Sequence, residues 1–80
     1  MQYVYFLQSI DHPDRNYVGL TDDLRNRVKT HNAGGSSHTA KFKPWRLVTY
    51  VAFSDEAKAV AFERYMKSAS GRAFAKKRFR

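Results

Sequence analysis

Glu63 lies in a segment whose apolar residues recur at helical spacing. On a wheel of about 100° per residue with Ala59 at zero, it falls near +40°, between the directions of Met66 and Val60. A carboxylate inside an apolar arc needs a partner. A basic neighbour could supply one as an ion pair. So could a hard cation such as Mg²⁺ (or Mn²⁺), which takes only one or two protein carboxylates when phosphate oxygens and water complete its shell. Arg27 and His31 raise the same question. With Leu24 at zero they fall near −60° and −20°, on the side of Val28, whereas Arg25, Asn26 and Lys29 take the solvent side. Arg27 could be a boundary arginine whose stem packs while its head reaches water, and His31 could be favoured simply by the helix C-terminus. Tyr3, Tyr5 and Tyr17 fall in strand patterns, where a tyrosine is ordinarily a core aromatic with its hydroxyl at the rim.

Several chemistries are excluded. The chain has no phosphate-cradling glycine loop and no GxGxxG, so no nucleotide cofactor is expected. Its three histidines are far apart and lack zinc spacing, and no serine stands in a nucleophile-elbow motif. Without cysteine there is neither a disulfide framework nor a thiolate metal site, which fits a reducing compartment. No apolar run approaches the roughly 18–20 residues that span a membrane, and Met1 leads straight into a strand pattern, so a cytoplasmic protein is expected.

Fifteen Lys and Arg against seven Asp and Glu leave a net charge of +8, which favours a polyanionic partner, nucleic acid first. Lys41, Lys43, Arg46, Arg72, Lys76, Lys77 and Arg78 are the candidates for contacts to its backbone, which position without specifying sequence. Each, taken singly, could equally be a solvated surface charge.

These groups need elements to hold them. Tyr3-Val4-Tyr5-Phe6-Leu7 is apolar and aromatic throughout, as a strand covered on both faces would be, and Asp11-His12-Pro13-Asp14 supplies a turn. Asn16-Tyr17-Val18-Gly19-Leu20 resumes the strand pattern, so the two segments predict an antiparallel hairpin, with Gly19 marking a close backbone approach. Thr21 as N-cap, Asp22 and Asp23 in the first turn and Gly34-Gly35 beyond the end predict a helix of about ten residues. Trp45 to Phe53 predicts a third strand, with Trp45, Leu47, Thr49, Val51 and Phe53 on one face. Ser54-Asp55-Glu56 opens a second helix buried through Ala59, Phe62, Met66 and Ala69 and ended or interrupted by Gly71. In the basic tail, Phe74 and Phe79 could dock a short third helix. The order is ββαβα with a short C-terminal helix, an α/β (α+β) chain read as one domain over residues 1–80.

Tyr3-Val4-Tyr5 followed by Tyr17-Val18-Gly19 resembles the paired signature of the GIY-YIG nuclease superfamily. The likeness continues through Leu20-Thr21-Asp22-Asp23-Leu24-Arg25-Asn26-Arg27, His31-Asn32, Lys43-Pro44-Trp45-Arg46-Leu47-Val48 and Glu63. The chain most resembles the small single-domain bacterial branch similar to the excinuclease nuclease domain. That resemblance implies a three-stranded antiparallel sheet flanked by helices and a metal-dependent endonuclease acting on DNA, guided by substrate structure. It also implies roles: Tyr17 helps activate water, Tyr5 is its companion, Arg27 clamps the scissile phosphate, Glu63 holds the metal, and His31 orients Tyr17 or contacts phosphate. The first signature lacks glycine, His38-Thr39 stands where relatives often carry Tyr-Thr, and Leu20 stands where several relatives place a lysine, which points to slower or differently tuned catalysis. A nucleic-acid-binding module of the same fold with little turnover is the alternative.

Overall fold

Seven elements run along residues 1–80, all of which the computed structural model describes. Strands β1 (Gln2–Ser9) and β2 (Asn16–Thr21) are followed by helices α1 (Leu24–Asn32) and α2 (Ser37–Ala40), strand β3 (Trp45–Phe53), and helices α3 (Glu56–Met66) and α4 (Ala69–Arg78). The strands form one antiparallel sheet in the order β2-β1-β3. The central place of β1 explains its unbroken apolar run. Val4 and Phe6 point to one face and pack with Val18, Ala59, Met66 and Ala75, ringed by Leu20, Phe53, Phe62 and Phe79. Tyr5 and Leu7 point to the other and pack with Trp45, Leu24, Val28, Phe42 and Leu47. Two thin layers of apolar side chains, each large one contributing about 1.5–3 kcal/mol, hold the helices on either side.

Strand β3 departs from the alternation expected of it. Leu47 pairs with Leu7 but Thr49 pairs with Phe6, so Val48 is an extra residue in a β-bulge. Trp45 and Leu47 therefore face α1, while Phe53 joins the layer under α3, and the five residues expected on one face divide between two. Past the bulge, the Thr49 hydroxyl donates to the Phe79 carbonyl (2.9 Å) and helps seat the end of α4.

The helix boundaries also differ in detail. Asp23, not Thr21, caps α1, accepting from Asn26 N at 3.2 Å; Thr21 closes β2, and its hydroxyl accepts from Asp23 N at 3.0 Å. At the other end Gly34 takes a left-handed φ of 81°, and Gly35 N donates to Thr30 O at 2.9 Å. Asn32 then brackets the backbone of Trp45: its Nδ2 donates to Trp45 O (3.0 Å), while Trp45 N donates to its Oδ1 (2.6 Å). These two bonds tie the end of α1 to the start of β3. The Trp45 indole N–H donates to Thr39 O (2.8 Å), fixing α2, a single turn that the sequence pattern does not signal.

Helix α3 opens on Asp55, which accepts from Ala57 N and Lys58 N, and stops at Met66. Ala69 is accordingly exposed on α4 rather than part of the buried stripe of α3. Gly71 does not end a helix. It lies buried within α4, where a Cβ would collide with the Tyr65 carbonyl and the Met66 backbone, so its bareness lets α4 turn back onto α3. Ala in place of Gly raises helix propensity by up to about 1 kcal/mol, but a backbone collision outweighs that. Gly71→Ala is expected to destabilise the protein by about 3 kcal/mol, read as a lower urea midpoint at unchanged slope.

Candidate active site

Tyr5 and Gly19 are directly paired across β1 and β2. The Tyr5 ring lies over that glycine so closely that a Cβ at position 19 would strike its hydroxyl. The absence of a side chain lets the ring cross the sheet toward α1, where the Tyr5 hydroxyl and His31 Nε2 are 2.8 Å apart. His31 Nδ1 is 2.6 Å from Thr39 Oγ1, which itself reaches Ser36 O at 3.5 Å. One proton ordering satisfies every group: Tyr5 O–H donates to Nε2, Nδ1–H donates to Thr39, and Thr39 O–H donates to the carbonyl. Tyr5, His31 and Thr39 are all within 2% of complete burial, so this chain is a fixed internal brace.

The electrostatics agree with that ordering. Burial, and then the neighbouring Tyr17, raise the Tyr5 hydroxyl far above the ordinary tyrosine range; the Arg27 charge opposes this and Glu63 adds to it. Tyr5 thus stays protonated. Burial, followed by the Arg27 charge, lowers the pKa of His31 and keeps the imidazole neutral. A histidine with a depressed pKa binds fewer protons folded than unfolded. Its contribution to stability is complete above the unfolded value near 6.5 and is lost as pH falls through the lower folded value. The thermal midpoint is expected to drop as pH is lowered below about 6.5, with a shallower drop in His31→Gln. Equal pH slopes in the two proteins would remove His31 as the cause.

Tyr17 stands at the free edge of the sheet with its ring 6.3 Å from that of Tyr5 and 5.0 Å from the imidazole. It lines an open cleft of about 260 Å³ with Asn16, Val18, Met66, Lys67, Arg72 and Arg80. Arg27 is exposed, one turn before the buried His31; the two share a side of α1, which meets the sheet through Leu24, Val28 and His31 while Arg27 stays open to solvent. Its guanidinium pairs with no carboxylate, and its charge is felt by both Tyr5 and His31. Glu63 approaches from α3, around the β2 edge. Its side chain is 19% exposed, and its Oε2 meets Lys67 Nζ at 2.7 Å, one helical turn on. Lys67 also lies 5.6 Å from the centre of the Tyr17 ring. The ion pair open to Glu63 from the sequence is therefore formed.

The fold gathers Tyr5, Tyr17 and His31 into direct contact and sets Arg27 and Glu63 within electrostatic reach of Tyr5. Both ring nitrogens of His31 are engaged, by Tyr5 and Thr39, and its ring lies 5.0 Å from that of Tyr17. Of the seven basic residues singled out, Arg72 lines the cleft beside Tyr17. Lys76, Lys77 and Arg78 form the exposed last turn of α4. Arg46 donates to Gln8 Oε1 (2.7 Å), Lys41 lies 5.7 Å over the Phe42 ring, and Lys43 approaches Gly34, all near the junction of α2 and β3. Lys67, Asn16, Arg80 and Thr39 were not among the candidate site residues. Of these only Lys67 carried a signal, its i+4 spacing from Glu63.

The family described as the GIY-YIG catalytic domain matches residues 1–78. The chain belongs to the GIY-YIG family. Among its relatives, a UPF0213 protein of Lacticaseibacillus paracasei is 46% identical over 52 residues, covering 64% of this chain and 58% of that one. A structure-specific endonuclease subunit SLX1 homolog of Giardia intestinalis is 37% identical over 65 residues, 76% of this chain but only 18% of the relative. The chain thus spans a fraction of the curated relatives it matches. The solution NMR structure of a UPF0213 protein from Bacillus halodurans superposes with a TM-score of 0.57 at 32% identity, covering 96% of this chain and 84% of that one.

GIY-YIG nucleases are generally metal-dependent, and the donor set here limits what such an ion could be. No group of three or more His, Cys, Asp or Glu side chains gathers anywhere, so a cage made wholly of protein ligands is excluded. A single, mostly buried carboxylate beside Lys67 suits a hard cation that keeps its water and takes substrate phosphate oxygens. Lys67 now holds an oxygen that such an ion would take.

Proposed function

We propose that this GIY-YIG chain is a Mg²⁺- or Mn²⁺-dependent endonuclease that hydrolyses phosphodiester bonds of DNA, choosing its substrate by structure rather than by sequence. The observation that carries the reading is that a carboxylate and a free guanidinium lie within electrostatic reach of Tyr5, whose ring is 6.3 Å from that of Tyr17. Tyr5 is buried, protonated and braced by His31, so it keeps a fixed place beside the Tyr17 ring. Tyr17 lines the cleft and, as its phenolate, is the group positioned to take a proton from an attacking water. Arg27, free of any carboxylate, clamps the phosphate and offsets charge growing on its oxygens. Glu63 is the residue that would hold the metal, which when bound supplies Lewis-acid stabilisation of the phosphoryl oxygens and a more acidic water. The exposed cations of α4 and of the α2–β3 junction provide contacts to the nucleic-acid backbone.

The test is cleavage of labelled single-stranded, duplex, flapped and branched DNA and RNA with and without Mg²⁺ or Mn²⁺. Metal-dependent products from one structural class support the reading, and salt-sensitive binding with no product from any of them overturns it. A binding module with little turnover is the second reading, favoured by the Glu63–Lys67 ion pair and by the burial of Leu20 against the apolar layer under α3, where it contributes no cation.

A further inference from the structure

The cleft that Tyr17 shares with α3 and α4 is lined by Lys67, Arg72 and Arg80, together with Asn16. Neither Arg72 nor Arg80 pairs with a carboxylate: the only ion pairs in the chain are Arg15–Asp14 and Lys67–Glu63. Two like charges turned toward one concavity without a counter-ion repel each other, and an anion placed between them removes that cost. Burial, and then the charge of Arg72, lower the pKa of Arg80, so the two guanidinium groups already act on one another. Helix–helix packing holds them there: Gly71, next to Arg72, lies against the backbone of Tyr65 and Met66, and Phe79, next to Arg80, is seated on Phe6 at a ring separation of 5.2 Å.

We propose that Arg72 and Arg80, with Asn16 at the rim, form a second phosphate subsite that holds an internal phosphodiester of the bound strand, separate from the phosphate offered to Arg27. Because Tyr17, the proposed base, lines this cleft, the phosphate held there is a near neighbour of the one to be cut, and the strand runs across Tyr17 toward α4. A planar guanidinium offers paired N–H donors to phosphate oxygens, and two of them make a clamp that fixes register without reading bases. This subsite rests on the nucleic-acid reading above but not on turnover. The fold builds it from residues more than fifty positions apart, Asn16 on β2 and Arg72 and Arg80 at the two ends of α4 and just beyond.

The experiment measures binding of a short fluorescent DNA oligonucleotide without metal as a function of salt, comparing wild type, Arg72→Gln/Arg80→Gln and the charge-matched Arg25→Gln/Lys29→Gln, whose side chains lie on the solvent side of α1. The cleft variant is expected to lose about three- to ten-fold in affinity and about one unit of the salt slope, since each neutralised phosphate contributes roughly 0.7–0.9. The α1 variant is expected to lose clearly less of both. Equal losses overturn the subsite and leave only net charge. In a second arm, millimolar inorganic phosphate is titrated into the labelled wild type and the backbone amide signals of Asn16, Tyr17 and Arg72 are followed. Phosphate shifts at these amides with an unchanged oligonucleotide slope in the cleft variant would mean a free-phosphate site and overturn the strand assignment. If no DNA or RNA is cut by wild type while the cleft variant still loses affinity selectively, the nuclease reading fails and the subsite stands.

Discussion

Glu63→Gln is expected to lower the rate of metal-dependent cleavage by about a thousand-fold, about 4 kcal/mol of transition-state stabilisation, while DNA binding without metal stays at the wild-type level or tightens slightly. The substitution keeps size and shape but removes the charge that a hard cation requires, so the loss falls on chemistry. Stability separates this from unfolding. Glu63 sits at the rim of the core, and its pairing with Lys67 is a partly exposed i,i+4 contact, of a kind contributing only about 0.3–0.5 kcal/mol. The urea midpoint should therefore barely move. A Gln variant that cuts at the wild-type rate would remove Glu63 from the site and leave the ion pair with Lys67 as its whole role.

Arg27→Ala is expected to reduce cleavage by about a hundred-fold, about 2.7 kcal/mol, and Arg27→Lys to recover only part of the loss. A lysine restores the charge but not the planar fork that grips two phosphate oxygens. Arg27 is exposed and carries no ion pair, so the fold gives it no structural task that its removal would undo. Taking away its charge should also relieve the electrostatic pressure on the buried imidazole and move the titration of His31 upward. Following the His31 ring protons against pH in the Ala variant checks this without any substrate. An unchanged His31 titration would mean that Arg27 points away from the Tyr5–His31 brace, and an unchanged cleavage rate would remove it as the phosphate clamp.

The departure at Leu20, and the Thr39 that follows the departing His38, acquire a physical setting. Leu20 faces the layer under α3, so whatever acts on Tyr17 from a cationic side chain comes from elsewhere, and Lys67, 5.6 Å from its ring, is the ammonium that α3 brings there. Thr39 is the outer end of the hydrogen-bond chain that fixes His31, and His31 in turn fixes Tyr5. The internal brace thus passes from α2 through α1 to the central strand.

Much of this protein was legible residue by residue because the signals are local. The apolar run of β1 requires cover on both faces, the turn after it requires a hairpin, Asp55 and the Gly34 pair mark helix ends, and a polar residue within an apolar arc marks Glu63 and His31 for attention. What local periodicity could not decide was contact between elements. The bulge at Val48 changes which face each β3 residue takes, and it arises from the register with β1, not from anything within Trp45–Phe53. Gly71 signalled a break in sequence, yet its place inside α4 follows from the closeness of the Tyr65 backbone. The same wheel that placed Arg27 beside His31 could not tell that the fold covers His31 and leaves Arg27 exposed. Side-chain chemistry along a few turns of chain is enough for the strands, the main helices and the charge that calls for a polyanion. Packing between elements settles that His31 serves Tyr5 and that Arg72 and Arg80 meet in one cleft, because both depend on how helices sit against the two faces and the free edge of a single sheet, whereas Lys67 meets Glu63 one turn along the same stretch of chain.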